Sequence, residues 1–465
     1  MRALAIPLVE AVAVGVPPLL VVPPVLLVPR LHRAGNRRRR FANGRVHRVT
    51  RSGTADESRA RLGRLTKQPS PRAGVAEKYG REAGLAALMK VVVPKERRPG
   101  EQRVALVPAE LARLAGAGVE ITVERGAGEL ALYPDTDYEA AGASLVGGNR
   151  LYDGADLVVK VQPPTLEEAD ELPEGISLLS FLAPSGHLEL VRHLAKRKVT
   201  AFSFELVPRI SRAQAMDALS SQSTCAGYRA VLIAANRLPK FFPLFMTAAG
   251  TVPPARALVM GAGVAGLQAI ATARRLGAVV SAYDVRPAAK EEVKSLGATF
   301  IELPLEAQEG SGGYAAAQSE EFLARQQEMI ATHVGASDVV ITTAAVPGRR
   351  APVLVSAAMV SRMRPGSVIV DLAAASGGNC ELTKDGQEVT VGGVHIIGAG
   401  ELASSMPTHA SSLYARNVSS FVKLLVKDGR LAPDFTDEIL DKSAVTISGL
   451  VHHEPTLTAL EEAKL

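Results

Sequence analysis

Residues 255–286 read ARALVMGAGVAGLQAIATARRLGAVVSAYDVR. A short apolar run predicts a strand, the glycine-rich turn Gly261-Ala262-Gly263-Val264-Ala265-Gly266 follows, a helix-period stretch runs to Leu276, and VVSAYD predicts a second strand ending at Asp284. This is G-x-G-x-x-G in the strand-turn-helix context that gives the motif its meaning. The first glycine permits the tight turn, the second lets backbone approach a pyrophosphate, and the third lets helix pack on strand, with the helix N-terminus facing the phosphates. Asp284 lies about 20 residues on, where a carboxylate bonds the adenosine ribose 2′-hydroxyl and repels a 2′-phosphate. The reading is therefore NAD(H) over NADP(H), although Arg286, beyond Val285, could soften that discrimination. A glycine-rich turn in an unrelated α/β fold would not need strand, helix and acid together.

Outward from this unit, short Val/Ile/Leu runs alternate with helix-period segments, the signature of parallel βαβ units covered on both faces. In the second block, DVVITTA and GSVIVDLA continue the sheet that ARALVM opens. In the first block, KVVVP, VEITVE, DLVVKV, ISLLSFL and VTAFSFE are candidate strands, with AELARLAGAG and HLELVRHLAKR as helices between them. One unbroken helix is expected from roughly Ser211 to Arg237, and HASSLYARNVSSFVKLLVKDG reads as another returning to the first block. The expected fold is α/β, with two Rossmann-like, doubly wound parallel-sheet domains joined by long helices and an NAD cleft between them. Boundaries fall at 89–220 with 408–465 for the first domain and 221–407 for the nucleotide-binding one.

The chain has 465 residues, 47% of them hydrophobic, enough for two or three cores. Its formal charge of +6 is unevenly placed: residues 1–88 hold 17 Lys and Arg against 5 Asp and Glu, which leaves residues 89–465 at −6. An acidic body with no zinc-finger, RNP or basic-helix motif gives no support for nucleic-acid binding. Two cysteines, Cys225 and Cys380, make neither a disulfide framework nor metal-ligand spacing, so no metal is expected and a reducing cytosol fits. Residues 3–29 are apolar, but six prolines, from Pro7 to Pro29, weigh against a membrane helix. Residues 30–88, rich in Arg, Gly and Ser without apolar period, read with them as a disordered extension or a product of start-codon choice.

Two further stretches are specific: ELVPRISRAQAMDALSSQSTCAGYRAV at 205–231, and FMTAAGTVPP leading into the fingerprint at 245–286. From about Met89 to about Leu460 the chain resembles the NAD(H)-binding α subunit of the proton-translocating transhydrogenase family, whose near relative is alanine dehydrogenase. The resemblance implies that Arg209, Gln214, Asp217 and Ser220 sit over the nicotinamide ring. On the expected helix Gln214, Asp217 and Ser220 step by three and share a face. Gln214 could both donate to and accept from the carboxamide, while Arg209 could brace Asp217 or a phosphate. The plainer alternative is a polar first turn that only caps its helix. The resemblance also implies a closing loop at GSGGYAAAQSEEF, with Gly313 and Tyr314, and cofactor contacts at Val264, Val285, Arg286, Gln326 and Ala345. Ala345 is smaller than the leucine expected there, and GAGELASSMPTHAS departs from the family's Asn/Asp-Leu-Pro-Ser-Arg run.

An amino-acid dehydrogenase needs groups that move protons and polarise a carbonyl, in that family a Lys, a His and an Asp. Only Lys160 matches here. Ala183 stands at the histidine position, with His187 four residues too late, and Ala375 at the aspartate position. Direct hydride transfer between two nicotinamides needs orientation and proximity and no general acid, so the transhydrogenase reading accommodates the losses. Lys160 then pairs structurally with a carboxylate of the first domain. No second nucleotide fingerprint for NADP(H) is evident, and after residue 30 no apolar run is long enough to span a bilayer. The resemblance therefore implies NADP(H) and a proton channel on membrane-spanning partner subunits, this chain lying on the cytoplasmic face, and a homodimer. The competing readings are an alanine dehydrogenase-like enzyme and a non-catalytic NAD sensor.

Overall fold

The computed structural model describes residues 88–302, 320–345 and 350–463. The expectations for the N-terminal extension and for Gly313 and Tyr314 lie outside the described residues.

Two sheets organise the chain. The first has eight strands in the spatial order Leu450–Val451, Ala444–Ile447, Thr200–Ser203, Ser177–Ser180, Leu157–Val159, Met89–Val93, Val119–Glu124, Ser144–Val146. Its first six strands in sequence are parallel, and the two from the C-terminal region add to one edge antiparallel. The chain starts in the middle, winds outward to Ser144–Val146, then reverses at Leu157–Val159, which is doubly wound order. The second sheet repeats the plan with Thr299–Phe300, Val279–Tyr283, Arg256–Met260, Val339–Thr342, Val368–Asp371, Val394–Gly398 and an antiparallel edge, Glu388–Val391.

Strand alternation places apolar side chains on both faces of each sheet, so both faces must be covered. In the first sheet Val91, Val93, Val159 and Leu179 enter one core and Val92, Val158, Leu178 and Ala201 the other. In the second, Val259, Val339 and Ile341 oppose Leu258, Met260 and Val340.

Three helices position the site: α1 (Ala218–Arg237), the fingerprint helix α2 (Val264–Arg275) and α3 (Pro407–Leu425). Helix α1 belongs to both cores. Ala218 at its start packs with the first sheet, whereas Ala230, Val231 and Ala234 pack with the second. Helix α3 drives Tyr414, Phe421 and Leu425 into the first core, where the Tyr414 ring meets Phe204 edge-on at 5.2 Å and its hydroxyl donates to the Lys160 carbonyl at 2.7 Å.

The expected unbroken helix from Ser211 to Arg237 is two pieces. Ser211–Met216 is a 3₁₀ turn, and Asp217 leaves helical geometry at φ −73°, ψ 82° to cap α1. An aspartate that can bond backbone N–H groups three residues on favours a helix start over a helix interior, which is the reason for the break.

Helices α1 and α2 cross at Gly227, where a Cβ would run into the carbonyl oxygen of Ala265. The expected outcome for Gly227→Ala is a loss of about 1–3 kcal/mol, the ordinary cost of overpacking, read by urea unfolding. No loss would show that the helices separate freely.

Candidate functional site

The three fingerprint glycines are required for three different reasons. Gly261 has φ +99°, which only glycine adopts without strain, and its N–H donates to the Tyr283 carbonyl at 2.8 Å. Gly266 is buried, and a Cβ there would collide with the Gly261 carbonyl. Gly263 differs: a Cβ would meet nothing within 4 Å, and the residue caps α2 with exposed Val264 beside it. The space beside Gly263 is therefore open at a helix N-terminus, where unpaired N–H groups and the helix dipole favour an anion.

Asp284 ends the second strand of this sheet, as the sequence implied. Its Oδ2 accepts from the Ala262 amide at 2.7 Å and its Oδ1 from the Arg286 amide at 2.8 Å. The Arg286 side chain adds Nε at 3.0 Å to Oδ1 and Nη2 at 3.0 Å to Oδ2. Burial alone would raise the Asp284 pKa, but these bonds from Arg286 and Ala262 outweigh it and hold the carboxyl below its ordinary range. Val285 is exposed beside this pair. Gln326, on Glu320–Ala336, donates to the Tyr283 hydroxyl at 2.6 Å and so stands next to Asp284.

Ala345 is exposed on a loop that Asn379 fastens. Asn379 accepts from the Ala344 amide at 2.9 Å and donates to the carbonyls of Ala344 and Pro352, both at 2.8 Å. Fully buried Asp371 in turn accepts from the amides of Ala373, Asn379 and Cys380 and from the Thr383 hydroxyl. Sequence reading passed over both residues, although a buried Asp at the end of a parallel strand is a recognisable loop organiser.

The Arg209–Ser220 segment resolves into two parts. Asp217 Oδ1 accepts from the Ser220 amide at 2.9 Å and Oδ2 from the Ser220 hydroxyl at 2.6 Å. Arg209 and Gln214 are exposed, and among the described residues neither bonds Asp217. The expected Arg209–Asp217 brace is thus replaced by the Ser220 bonds, and Gln214, on the 3₁₀ turn, does not share a helix face with the other two.

The segment left open in the sequence, Glu401 to Ser405, belongs to a junction between the sheets. Arg103 is 3% exposed and binds Glu101 through Nε at 2.8 Å and Nη2 at 2.6 Å, Gln222 of α1 at 2.9 Å and Glu401 at 3.1 Å. The Ser404 hydroxyl accepts from the Gln102 amide at 2.8 Å and donates to the Gly100 carbonyl at 2.9 Å. Beside this cluster Lys160, 2% exposed, lies 3.3 Å from Glu96 and 3.0 Å from Glu168, the pairing with first-domain carboxylates that its position implied. His187 donates from Nδ1 to the Leu182 carbonyl at 2.9 Å, and Ala183, at φ +43°, has its amide bound by Glu205.

Burial would raise the Glu101 carboxyl, yet the bonds and charge of Arg103 and the bond from Gln162 bring it down to about 2. The unfolded carboxyl titrates near 4.5, so this group's stabilisation is complete above about pH 4.5 and is lost as pH falls toward 2. Glu96 acts with opposite sign, since burial raises its pKa above the ordinary value and its proton is held more tightly in the fold. Arg103→Met should cost about 3–5 kcal/mol, because it strands Glu101 as a buried charge. It should also flatten the fall in stability between pH 4.5 and 2. Urea unfolding across that range checks both, and an unchanged acid profile in the variant would contradict the assignment.

The sequence model of the alanine dehydrogenase/PNT N-terminal domain matches residues 92–226, and that of the C-terminal domain matches residues 230–454. An NAD(P) transhydrogenase subunit alpha chain of Rhodospirillum rubrum is 48% identical over 381 residues, covering 80% of this chain and 99% of that one. Among solved structures, the transhydrogenase of Sinorhizobium meliloti superposes with a TM-score of 0.70 at 42% identity, covering 79% of this chain and 99% of its own. An L-alanine dehydrogenase superposes with a TM-score of 0.69 at 28% identity, covering 80% and 99%. With both domain models matched in order along the two sheets, the chain belongs to the alanine dehydrogenase/PNT family.

Proposed function

We propose that this chain binds NAD(H) and passes hydride directly between it and NADP(H) held on a partner subunit, as the α subunit of a proton-translocating transhydrogenase. The observation that carries the choice within the family is the state of Lys160. Sealed between Glu96 and Glu168 in the first core, it is not available to polarise a substrate carbonyl in open solvent. The other two acid–base positions hold Ala183 and Ala375, and His187 spends its Nδ1 proton on a backbone carbonyl.

The residues present fit a dinucleotide. The open N-terminus of α2 at Gly263 and Val264 would take the pyrophosphate, and Asp284, with Val285 and Arg286 beside it, would take the adenosine ribose. The bound nicotinamide supplies the hydride chemistry itself. Gln214 and the Asp217–Ser220 pair would orient the carboxamide, with Gln326, Ala345 and the Gly313–Tyr314 loop completing the contacts. Such residues act by fixing one ring against another, which lowers the barrier through proximity alone.

The same reading assigns NADP(H) binding and the proton path to membrane-spanning partner subunits, and puts this chain at the cytoplasmic face of that assembly. Among the described residues no helix is long and apolar enough to cross a membrane. A homodimer is supported by the hairpin of Phe245–Thr247 and Gly250–Val252, around which Phe241, Leu244 and Met246 are exposed.

The test mixes the purified chain, NADH and an NADP⁺ analogue with a separately expressed NADP(H)-binding partner domain. Reduction of the analogue should require both proteins, and Gln214→Ala should slow it about tenfold to a hundredfold, the scale of a misplaced reactant. NADH oxidation by pyruvate and ammonia without any partner would establish an amino-acid dehydrogenase instead. NADH binding with neither reaction would favour a sensor.

A further inference from the structure

The carboxylate of Asp284 is saturated before any nucleotide arrives. It offers about four lone-pair sites. The amides of Ala262 and Arg286 and the Nε and Nη2 of Arg286 occupy them, at 2.7 to 3.0 Å. The guanidinium also reaches the fingerprint turn, donating from Nη2 to the Ala262 carbonyl at 3.1 Å. It therefore lies across the place where the adenosine ribose must sit if Asp284 is to bind it. The two side chains differ in access: that of Asp284 is 7% exposed and that of Arg286 60%.

A planar guanidinium fork is the side chain best matched to a phosphate. We propose that Arg286 is a latent receptor for a 2′-phosphate, held out of use by Asp284, so that selectivity for an unphosphorylated ribose resides in the pair and not in the carboxylate alone. This rests on the reading that the fingerprint binds NAD(H), and it deepens that reading. Two backbone amides fix Asp284 in place, while the exposed Arg286 has freedom to turn. With both residues present the local charge is zero and the fork is engaged by Asp284. Removing Asp284 leaves one free positive fork beside the ribose position. Removing Arg286 leaves one bare negative charge, and removing both returns the site to zero with no receptor. The affinities for NADPH should follow that ladder.

The experiment titrates NADH and NADPH into the full chain and its Asp284→Ser, Arg286→Gln and doubly substituted forms. The chain has no tryptophan, so nicotinamide emission reports binding without indole background. Serine retains an acceptor for the Ala262 amide, and unchanged melting temperatures verify folding in every form. Asp284→Ser should tighten NADPH binding by about tenfold or more, the worth of a charge-assisted bond. That gain should fall away with added salt and be lost when Arg286→Gln is added. Arg286→Gln alone should bind NADPH no better than the parent chain. Equal NADPH binding by Asp284→Ser and the double variant, or no gain in an Asp284→Ser protein that still binds NADH, would overturn the latent-receptor inference alone. A parent chain that binds NADPH as tightly as NADH would overturn both it and the NAD(H) reading.

Discussion

The close crossing of helices α1 and α2 is the constraint on which the rest of the site depends. At Gly227 the backbone of α1 lies against Ala265 with no room for a single carbon between them. Ala265 is inside the fingerprint, and Asp217 caps the far end of α1 ten residues before Gly227. At 1.5 Å per residue that end lies about 15 Å along the helix from the crossing. Two small residues thus set the phosphate-binding turn and the Asp217–Ser220 pair into one rigid unit, although the two belong to different cores. The Arg103 junction adds a second fastening, tying the loop after the first strand to Gln222 of the same helix and to Glu401 after the second sheet.

Much of this was legible in the sequence because it is local. The fingerprint, the acid at Asp284 and the near-continuous apolar strands each lie within a few residues of what defines them. Glu388–Val391 and Val394–Gly398 were also legible: the alternating EVTV and VHII flank Gly392-Gly393, and both glycines have positive φ, as a two-residue hairpin turn requires. Strands of two or three residues, such as Thr299–Phe300 and Ser144–Val146, carry too little pattern to find. The Arg103 junction was not legible for another reason, since Glu401 is almost 300 residues away and no period or motif links the two. At Asp217 helix period and capping chemistry competed, and the sequence reading followed the period where capping prevails.

Division of labour explains what the family fold has lost here as well as what it keeps. A dehydrogenase must hold a substrate and manage its protons within one cleft, whereas a hydride relay must bring two nicotinamides together and exclude everything else. Lys160 retained as a buried ion-pair partner, with alanines at 183 and 375, is consistent with a first sheet that stabilises the cleft and performs no acid–base chemistry. The nucleotide-binding turn meanwhile keeps every glycine for a physical reason, because each one answers to a different constraint.

The central claim is direct transfer of hydride without an intervening protein acid or base, and an isotope experiment tests it. NADH carrying deuterium at the transferred C4 position, mixed with this chain, the partner domain and an NADP⁺ analogue in ordinary water, should deliver the label quantitatively to C4 of the reduced analogue. Hydrogen from solvent at that carbon would mean that the transferred atom exchanges on the protein, and would contradict the account.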